Sequence, residues 1–347
     1  MRFYTEQHKY YCGIDLHARK MYVCIIDQAG RTKVHKNIDT DPQAFFELIF
    51  PFVEDVAVAV ECVFCWYWLA DVCAQHKIPF VLGHALYMKA IHGDKTKNDK
   101  IDSYRIAALL RGGNLPVAYA YPAKMRATRD LLRRRMYLMR RRAKLLAHIQ
   151  NTNTQYNLPQ IGKNLSKKCH RRHIAQRFVD PAVKMAIETN LALIEFYDQL
   201  LPKIEAYIDR CAKTHDPNAL YRLRTTPGVG YILALSILYE VGDIARFKTV
   251  QNFCSYARLI TPAKESDGKW AGKCNTKIGN NHLKHAINEA AMLFLRRSNT
   301  AVAYRERLER RHGKAKSYGI FTHKLGRALY YMLKNKQAFS KRKFLYA

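Results

Sequence analysis

A mixed α/β domain followed by mainly helical segments is the fold class that this 347-residue sequence predicts. Three observations carry it. Three β-rich runs stand near the amino terminus, helix and strand signals then alternate as far as residue 111, and from Ala123 the apolar residues recur at helical spacing.

Residues 10–15 and 21–27 are apolar and β-rich, and the five residues Leu16-His17-Ala18-Arg19-Lys20 between them suit a hairpin. Residues 31–38 offer a third, more polar strand. Asp41-Pro42 opens a helical pattern through Phe50, with Asp41 as N-cap and Pro42 in the first turn. Residues 56–60 form a short buried strand that ends in Glu61. A helix follows to about Gln75, then a strand at residues 79–83, and a further helix starts near Asn98 and runs to Arg111.

Beyond Ala123 the pairs Leu131-Leu132, Leu138-Met139 and Leu145-Leu146 recur every seven residues and share one helical stripe. Arg133-Arg134-Arg135 and Arg140-Arg141-Arg142 repeat at the same interval. With Asp130 the single acid between Lys124 and Lys144, pairs within this helix cannot neutralise the arginines. They line either a solvated coiled-coil face or a surface that grips phosphates. Residues 151–180 are polar and basic with little periodicity, which predicts a loop or a nucleic-acid-contacting connector. A second helix from Ala182 carries Ile187, Leu191, Ile194, Leu201, Ile204 and Ile208 on one side, and Pro202 should kink or interrupt it. Two long helices joined by a loop suggest an antiparallel coiled-coil arm. The rest is mostly helical, with turns at Pro227-Gly228, Gly242-Asp243 and Gly279-Asn280. The expected domains are 1–122, 123–216 and 217–347.

Charge separates the same regions. The formal net charge is +31, yet residues 1–100 hold 12 basic and 12 acidic side chains. Residues 101–180 hold 18 and 3, and residues 181–347 hold 29 and 13. An apolar fraction of 48% excludes a disordered basic tail as a description of the whole chain. A surplus this large repels itself unless a polyanion neutralises it, which points to nucleic acid. Nine scattered cysteines in a chain of this size suit reduced thiols in a cytosolic protein. Cys62-Val-Phe-Cys65 lacks a second pair, and it and the Cys169-His170 and His173 cluster are both weak as zinc sites. No apolar run has the length or flanks of a secretory leader or a membrane span.

Four acids stand out in the electrically balanced section. Asp15 and Glu61 close two apolar strands, and Asp99 and Asp102 start a helix at i and i+3, on one face. If the two strands are neighbours, their ends can meet that helix. Such a cluster repels itself when empty and suits Mg²⁺ or Mn²⁺; the alternative is that the aspartates complement the helix dipole and Glu61 is an ordinary strand-end acid. Further on, Thr225-Thr226-Pro227-Gly228-Val229-Gly230 precedes an apolar helix, so Gly228 and Gly230 offer backbone amides to a phosphate or serve as structural punctuation. Ser266 lies in a Gly- and Lys-rich stretch with Lys269, Lys273 and Lys277, where it is either a nucleophile toward a phosphodiester or part of a surface loop.

Taken in order, Gly13-Ile14-Asp15, Val60-Glu61, Asp99-Lys100-Ile101-Asp102, Thr226-Pro227-Gly228-Val229-Gly230, Glu265-Ser266-Asp267-Gly268 and Thr276-Lys277-Ile278-Gly279-Asn280 resemble the motifs of the DEDD transposases of insertion-sequence family 110. The resemblance covers nearly the whole chain. It implies an N-terminal RuvC-like (RNase H-like) domain, a helical coiled-coil connector and a C-terminal transposase domain with a serine nucleophile. By motif, Asp15, Glu61, Asp99 and Asp102 would be the catalytic metal tetrad and Ser266 the nucleophile. Two positions depart from the family pattern: Asp267 stands between Ser266 and Gly268, and Thr276 takes the place of a serine. The resemblance further implies DNA strand cleavage and rejoining, a structured noncoding guide RNA, a homo-oligomer (dimer or tetramer) with composite sites, and a cytoplasmic prokaryotic setting at the nucleoid. The rival readings are a RuvC-type metal endonuclease of branched DNA and a non-catalytic RNA- or DNA-binding scaffold.

Overall fold

The computed structural model describes residues 2–91, 98–162, 164–212, 216–260, 263–267, 269–273 and 278–346. The chain divides into two compact units, Met1–Ala123 and Lys124–Ala347.

In the first unit, β1 (Tyr10–Leu16) and β2 (Lys20–Asp27) form the expected hairpin, and β3 (Thr32–Asp39) adds antiparallel to β2. Then come α1 (Pro42–Ile49), β4 (Val56–Glu61), α2 (Tyr67–Gln75), β5 (Phe80–Gly83), α3 (Ala85–Ile91) and α4 (Asp99–Arg111). The sheet order is β3-β2-β1-β4-β5, with β4 parallel to both β1 and β5. The central position of β4 explains its unbroken Val-Ala-Val-Ala-Val run, because both of its faces are covered. β3 is an edge strand, and its Lys33 and Lys36 suit an edge that must not pair with another chain. Asp41 caps α1 by accepting from the Gln43 and Ala44 amides. Helix α3 was not expected from the sequence: only seven residues long, it shows too little periodicity.

Two apolar layers hold this sheet. On one face Cys12, Ile14, Leu16, Val58 and Val60 pack with Phe45 and Ile49 of α1 and Leu69 and Cys73 of α2. On the other, Tyr11, Ala57 and Ala59 pack with Ile106, Ala107, Leu109 and Leu110 of α4. Gly13 permits that second contact. A Cβ there would lie 2.2 Å from the Ala107 nitrogen and 2.3 Å from the Ser103 oxygen. Residues 103–107 therefore cross β1 at Gly13, and the helix start at Asp99 lies toward the C-terminal end of the strand.

The second unit opens with α5 (Ala123–Gln155), and α6 (Pro181–Ala212) follows it as the second long helix. α6 continues through Pro202, where a kink or an interruption was expected; the helix is not interrupted there. One missing amide costs a single intrahelical bond, and Leu201, Ile194 and Ile208 are buried on either side. Residues 151–180 correct a second expectation. They extend α5 to Gln155 and then form 3₁₀ turns at Lys168–His170 and Ala175–Arg177, and Leu165, Ile174 and Phe178 pack on Ile149, Ile187 and Ile194. Those few apolar residues close a small core with α5 and α6, which composition alone hid.

The remaining elements are α7 (Pro217–Arg224), α8 (Tyr231–Val241), α9 (Val250–Tyr256), β6 (Ala263–Ser266), β7 (Lys269–Lys273), α10 (Asn281–Arg297), α11 (Asn299–His312), α12 (Lys314–Lys334) and α13 (Lys341–Tyr346). Their core includes Tyr239, Phe253, Phe294, Phe321 and Leu325, all fully buried, with Leu132 of α5 and Ile208 of α6. Among the described residues no helix is long and apolar enough to cross a membrane.

Gly13→Val should destabilise the first unit by about 3 kcal/mol or more, since overlap with backbone atoms cannot be relieved by a rotamer change. Thermal unfolding followed by circular dichroism measures it, and an unchanged midpoint would refute the close approach of α4 to β1.

Candidate functional site

Asp15 is the sixth residue of β1, on the same side of the strand as Gly13. The β1–β4 register pairs Gly13 with Ala59 and Ile14 with Val60, so Asp15 and Glu61 are the next residues along two neighbouring parallel strands. Glu61 in turn pairs with Gly83 of β5. Both carboxylates thus extend from the face that α4 covers. Asn98 caps α4 by accepting from the Lys100 amide at 2.9 Å, which starts the helix at Asp99. His35 of β3 holds the same turn, its Nε2 2.8 Å from the Lys100 carbonyl and 3.2 Å from Ser103 Oγ.

Three side chains meet closely. His17 Nε2 lies 3.3 Å from Asp15 Oδ2 and 3.6 Å from Asp99 Oδ2. One ligand atom from each of the three falls within 4.8 Å of the other two, a spacing that could hold a metal ion. Asp102 shares the first turn of α4 and is near enough to Asp15 to raise its pKa, while its Oδ1 accepts from Arg105 at 3.4 Å. Burial is the largest influence on Asp15 and pushes its carboxyl up; His17 opposes this, and Asp99 and Asp102 add to it. Charge repulsion of this kind is what a divalent cation relieves. In the sequence His17 falls in the hairpin connection, and nothing in the pattern of carboxylates singles it out. The available signal was its position two residues after Asp15, which places both on one side of an extended chain.

Ser266 is the last residue of β6, and β6 pairs antiparallel with β7. Asp267, in the turn, has φ of 53°, a left-handed conformation that aspartate tolerates better than most residues. The departure from the family pattern at Asp267 therefore sits where the hairpin reverses. A loop was one expectation for residues 264–280; a short hairpin stands at its start instead. Lys269 and Lys273 lie on β7, and Lys277 lies outside the described residues.

Two family models match the chain. One, described as a transposase of the DEDD type of IS110, covers residues 12–158, and the other, described as the transposase IS116/IS110/IS902 family, covers residues 220–306. The chain belongs to the IS110 family of transposases. Among curated relatives, it is 26% identical over 207 residues to the protein named "Putative transposase y4qE" of Sinorhizobium fredii, covering 58% of this chain and 49% of that one. It is also 25% identical over 206 residues to the transposase for insertion sequence element IS1111A of Coxiella burnetii, covering 58% and 55%. The chain spans about half the length of the curated relatives it matches.

Against this family background the six arginines of α5 divide into two sets. Arg133 donates to Glu240 of α8 at 2.6 and 2.9 Å, Arg135 to Glu205 of α6 at 2.8 Å, and Arg142 to Asp198 of α6 at 2.6 Å. Acids on other helices thus neutralise these three, a pairing that neither a solvated coiled-coil face nor a phosphate-gripping surface anticipates. Arg134, Arg140 and Arg141 remain exposed, with Arg134 and Arg141 over the Tyr137 ring. Buried Arg171, from the supposed loop, shares Asp198 with Arg142. Burial pushes Asp198 upward, but hydrogen bonds from Arg142 and Arg171 outweigh it and hold the carboxyl below its usual range.

Glu240 is 3% exposed and accepts from Arg129, Arg133 and Asn280. Here too burial raises the pKa and the surrounding donors, Arg133 foremost, bring it below the ordinary value. Asn280 is also the N-cap of α10, accepting from the His282 and Leu283 amides. Gly228 has a packing role of its own. It is buried, with φ of 86°, and a Cβ there would lie 2.4 Å from the Phe294 nitrogen, so only glycine lets this turn approach α10 so closely. Gly230 is exposed at the N-cap of α8 without a side-chain cap.

Because the folded state raises the Asp15 pKa, ionising it opposes folding: stability is fullest below the unfolded carboxyl value and is lost as pH rises through the folded one. Without divalent ions, Asp15→Asn should therefore raise the melting temperature by a few degrees near neutral pH and by nothing in acid. Parallel thermal melts at both pH values check this. Glu240→Ala should destabilise by about 3–5 kcal/mol, by stranding two arginines, and denaturant unfolding reads it.

Proposed function

We propose that the chain cleaves DNA and rejoins it at the ends of a mobile insertion sequence. The convergence of Asp15 and Glu61, at the ends of two neighbouring strands, with the first turn of α4 carries this reading. A mixed sheet with helices on both faces supports taking the first unit as the family's RuvC-like (RNase H-like) domain. The long helices α5 and α6 correspond to its coiled-coil connector, and the elements from α7 onward to its transposase domain.

Asp15, Glu61, Asp99 and Asp102 would hold Mg²⁺ or Mn²⁺, since hard carboxylate oxygens on two strand ends and one helix turn match the demands of these ions. When bound, such ions stabilise charge on the attacking and leaving oxygens of a phosphodiester. Ser266 Oγ gives up its proton and attacks phosphorus, a deoxyribose oxygen leaves and takes up a proton, and a serine phosphodiester remains. A second DNA hydroxyl reverses the step. The covalent link keeps the energy of the broken bond, so rejoining needs no ATP. Serine and carboxylates belong to different units of the fold, and the reading requires that they meet within a protomer or between protomers of a dimer or tetramer.

A structured noncoding RNA that pairs with donor and target DNA would give the +31 charge a second polyanion, with base pairing supplying sequence specificity. Exposed Arg134, Arg140 and Arg141, with Gly230, Lys269, Lys273 and Lys277, are the groups offered to phosphates. The setting is the cytoplasm, at the nucleoid.

The test uses purified protein with its copurifying RNA and a plasmid bearing the element's ends. Wild type should recombine the plasmid and leave a protein–DNA adduct; Ser266→Ala should lose both, and Asp15→Asn should lose recombination by about a hundredfold or more. Cleavage that survives Ser266→Ala would favour a water-using endonuclease instead. Full activity of Asp15→Asn and Glu61→Gln would favour a scaffold.

A further inference from the structure

The backbone of His17 is held from both sides. Its amide donates to the Lys20 carbonyl at 3.2 Å, and its own carbonyl accepts from Thr40 Oγ1 at 2.9 Å. Its ring nitrogen faces Asp15 and Asp99 together, at 3.3 and 3.6 Å. Donor atoms bound to one ion at 2.0–2.6 Å lie roughly 3–5 Å apart, and the Asp15, His17 and Asp99 atoms fall inside that limit at 4.8 Å or less. The ring is half exposed, so it can turn about its own bonds without disturbing a core.

An imidazole changes what the site prefers. Mg²⁺ favours oxygen ligands and retained water, whereas Mn²⁺ and the later first-row ions accept imidazole nitrogen more readily. We propose that His17 is a nitrogen ligand to the metal held by Asp15 and Asp99, and that it biases the site toward Mn²⁺ over Mg²⁺. This rests on the carboxylates being a metal site, as in the function proposed above. Asp15 and His17 come from the end of one strand and its hairpin, and Asp99 from a helix that Gly13 admits, so the three donors form a small mixed nitrogen–oxygen set. A histidine that merely paired with the two aspartates would make no bond to an added ion.

The experiment titrates Mn²⁺ into the full-length chain and follows the bound ion by electron paramagnetic resonance, with electron spin echo modulation to detect ligand nitrogen. Wild type should show ¹⁴N modulation that disappears in His17→Gln and His17→Ala. The same variants should bind Mn²⁺ at least about tenfold more weakly, with a smaller loss toward Mg²⁺ measured by competition. Circular dichroism verifies that they fold, and His17→Gln retains a polar group if His17→Ala does not. If Mn²⁺ binds wild type, loses affinity in Asp15→Asn and shows no ¹⁴N modulation, His17 is not a ligand, and the carboxylate site stands. If wild type binds no Mn²⁺ in an Asp15-dependent way, the metal site and the role of His17 fall together.

Discussion

Where Gly13 has no side chain, α4 lies directly on β1, with backbone atoms 2.2–2.3 Å from where a Cβ would be. Any larger residue would lift the helix from the sheet and carry its first turn away from Asp15. The rest of the first unit is arranged to permit this approach. Ala57 and Ala59 keep the neighbouring strand low on the same face, while bulky Ile14, Val58 and Val60 face α1 and α2. The packing contact and the site are therefore one construction: the glycine sets the helix height, and the helix height sets the carboxylate spacing.

The second unit depends on a different interaction, the burial of charge among fixed partners. Glu240 sits within an apolar helix whose other buried residues include Leu235, Ile237 and Tyr239. It remains ionised because Arg129, Arg133 and Asn280 surround it, and each of those donors belongs to another element. Asp198 repeats the arrangement on α6 with Arg142 and Arg171. Each cluster sets two arginines against one carboxylate, so these basic groups are engaged internally rather than offered to solvent.

Much of the fold could be read along the chain. Asp41, Pro42 and Asn98 act within a turn of themselves, so they marked the starts of α1 and α4. Alternation and apolar runs located β1 to β5. Short or polar elements escaped: α3 has seven residues, and the packing at Leu165, Ile174 and Phe178 rests on isolated apolar positions within a basic stretch. At the site, the four carboxylates stood out because each closed a strand or opened a helix. His17 did not, since its significance comes from Asp99, on an element 82 positions away in the sequence.

The sequence by itself determined the classes of element, their caps, the neutral first hundred residues and the motif order that marks the IS110 family. These depend on neighbours within a few positions, where periodicity and capping operate. Only the tertiary structure decided which arginines are free. Arg133 meets an acid 107 residues away, Arg135 one 70 away and Arg142 one 56 away, and nothing in the composition of α5 foretells those meetings. It also assigned Gly228 to packing and His17 to the carboxylates. A charge is neutralised by whatever lies within a few ångströms, and that distance is set by the fold.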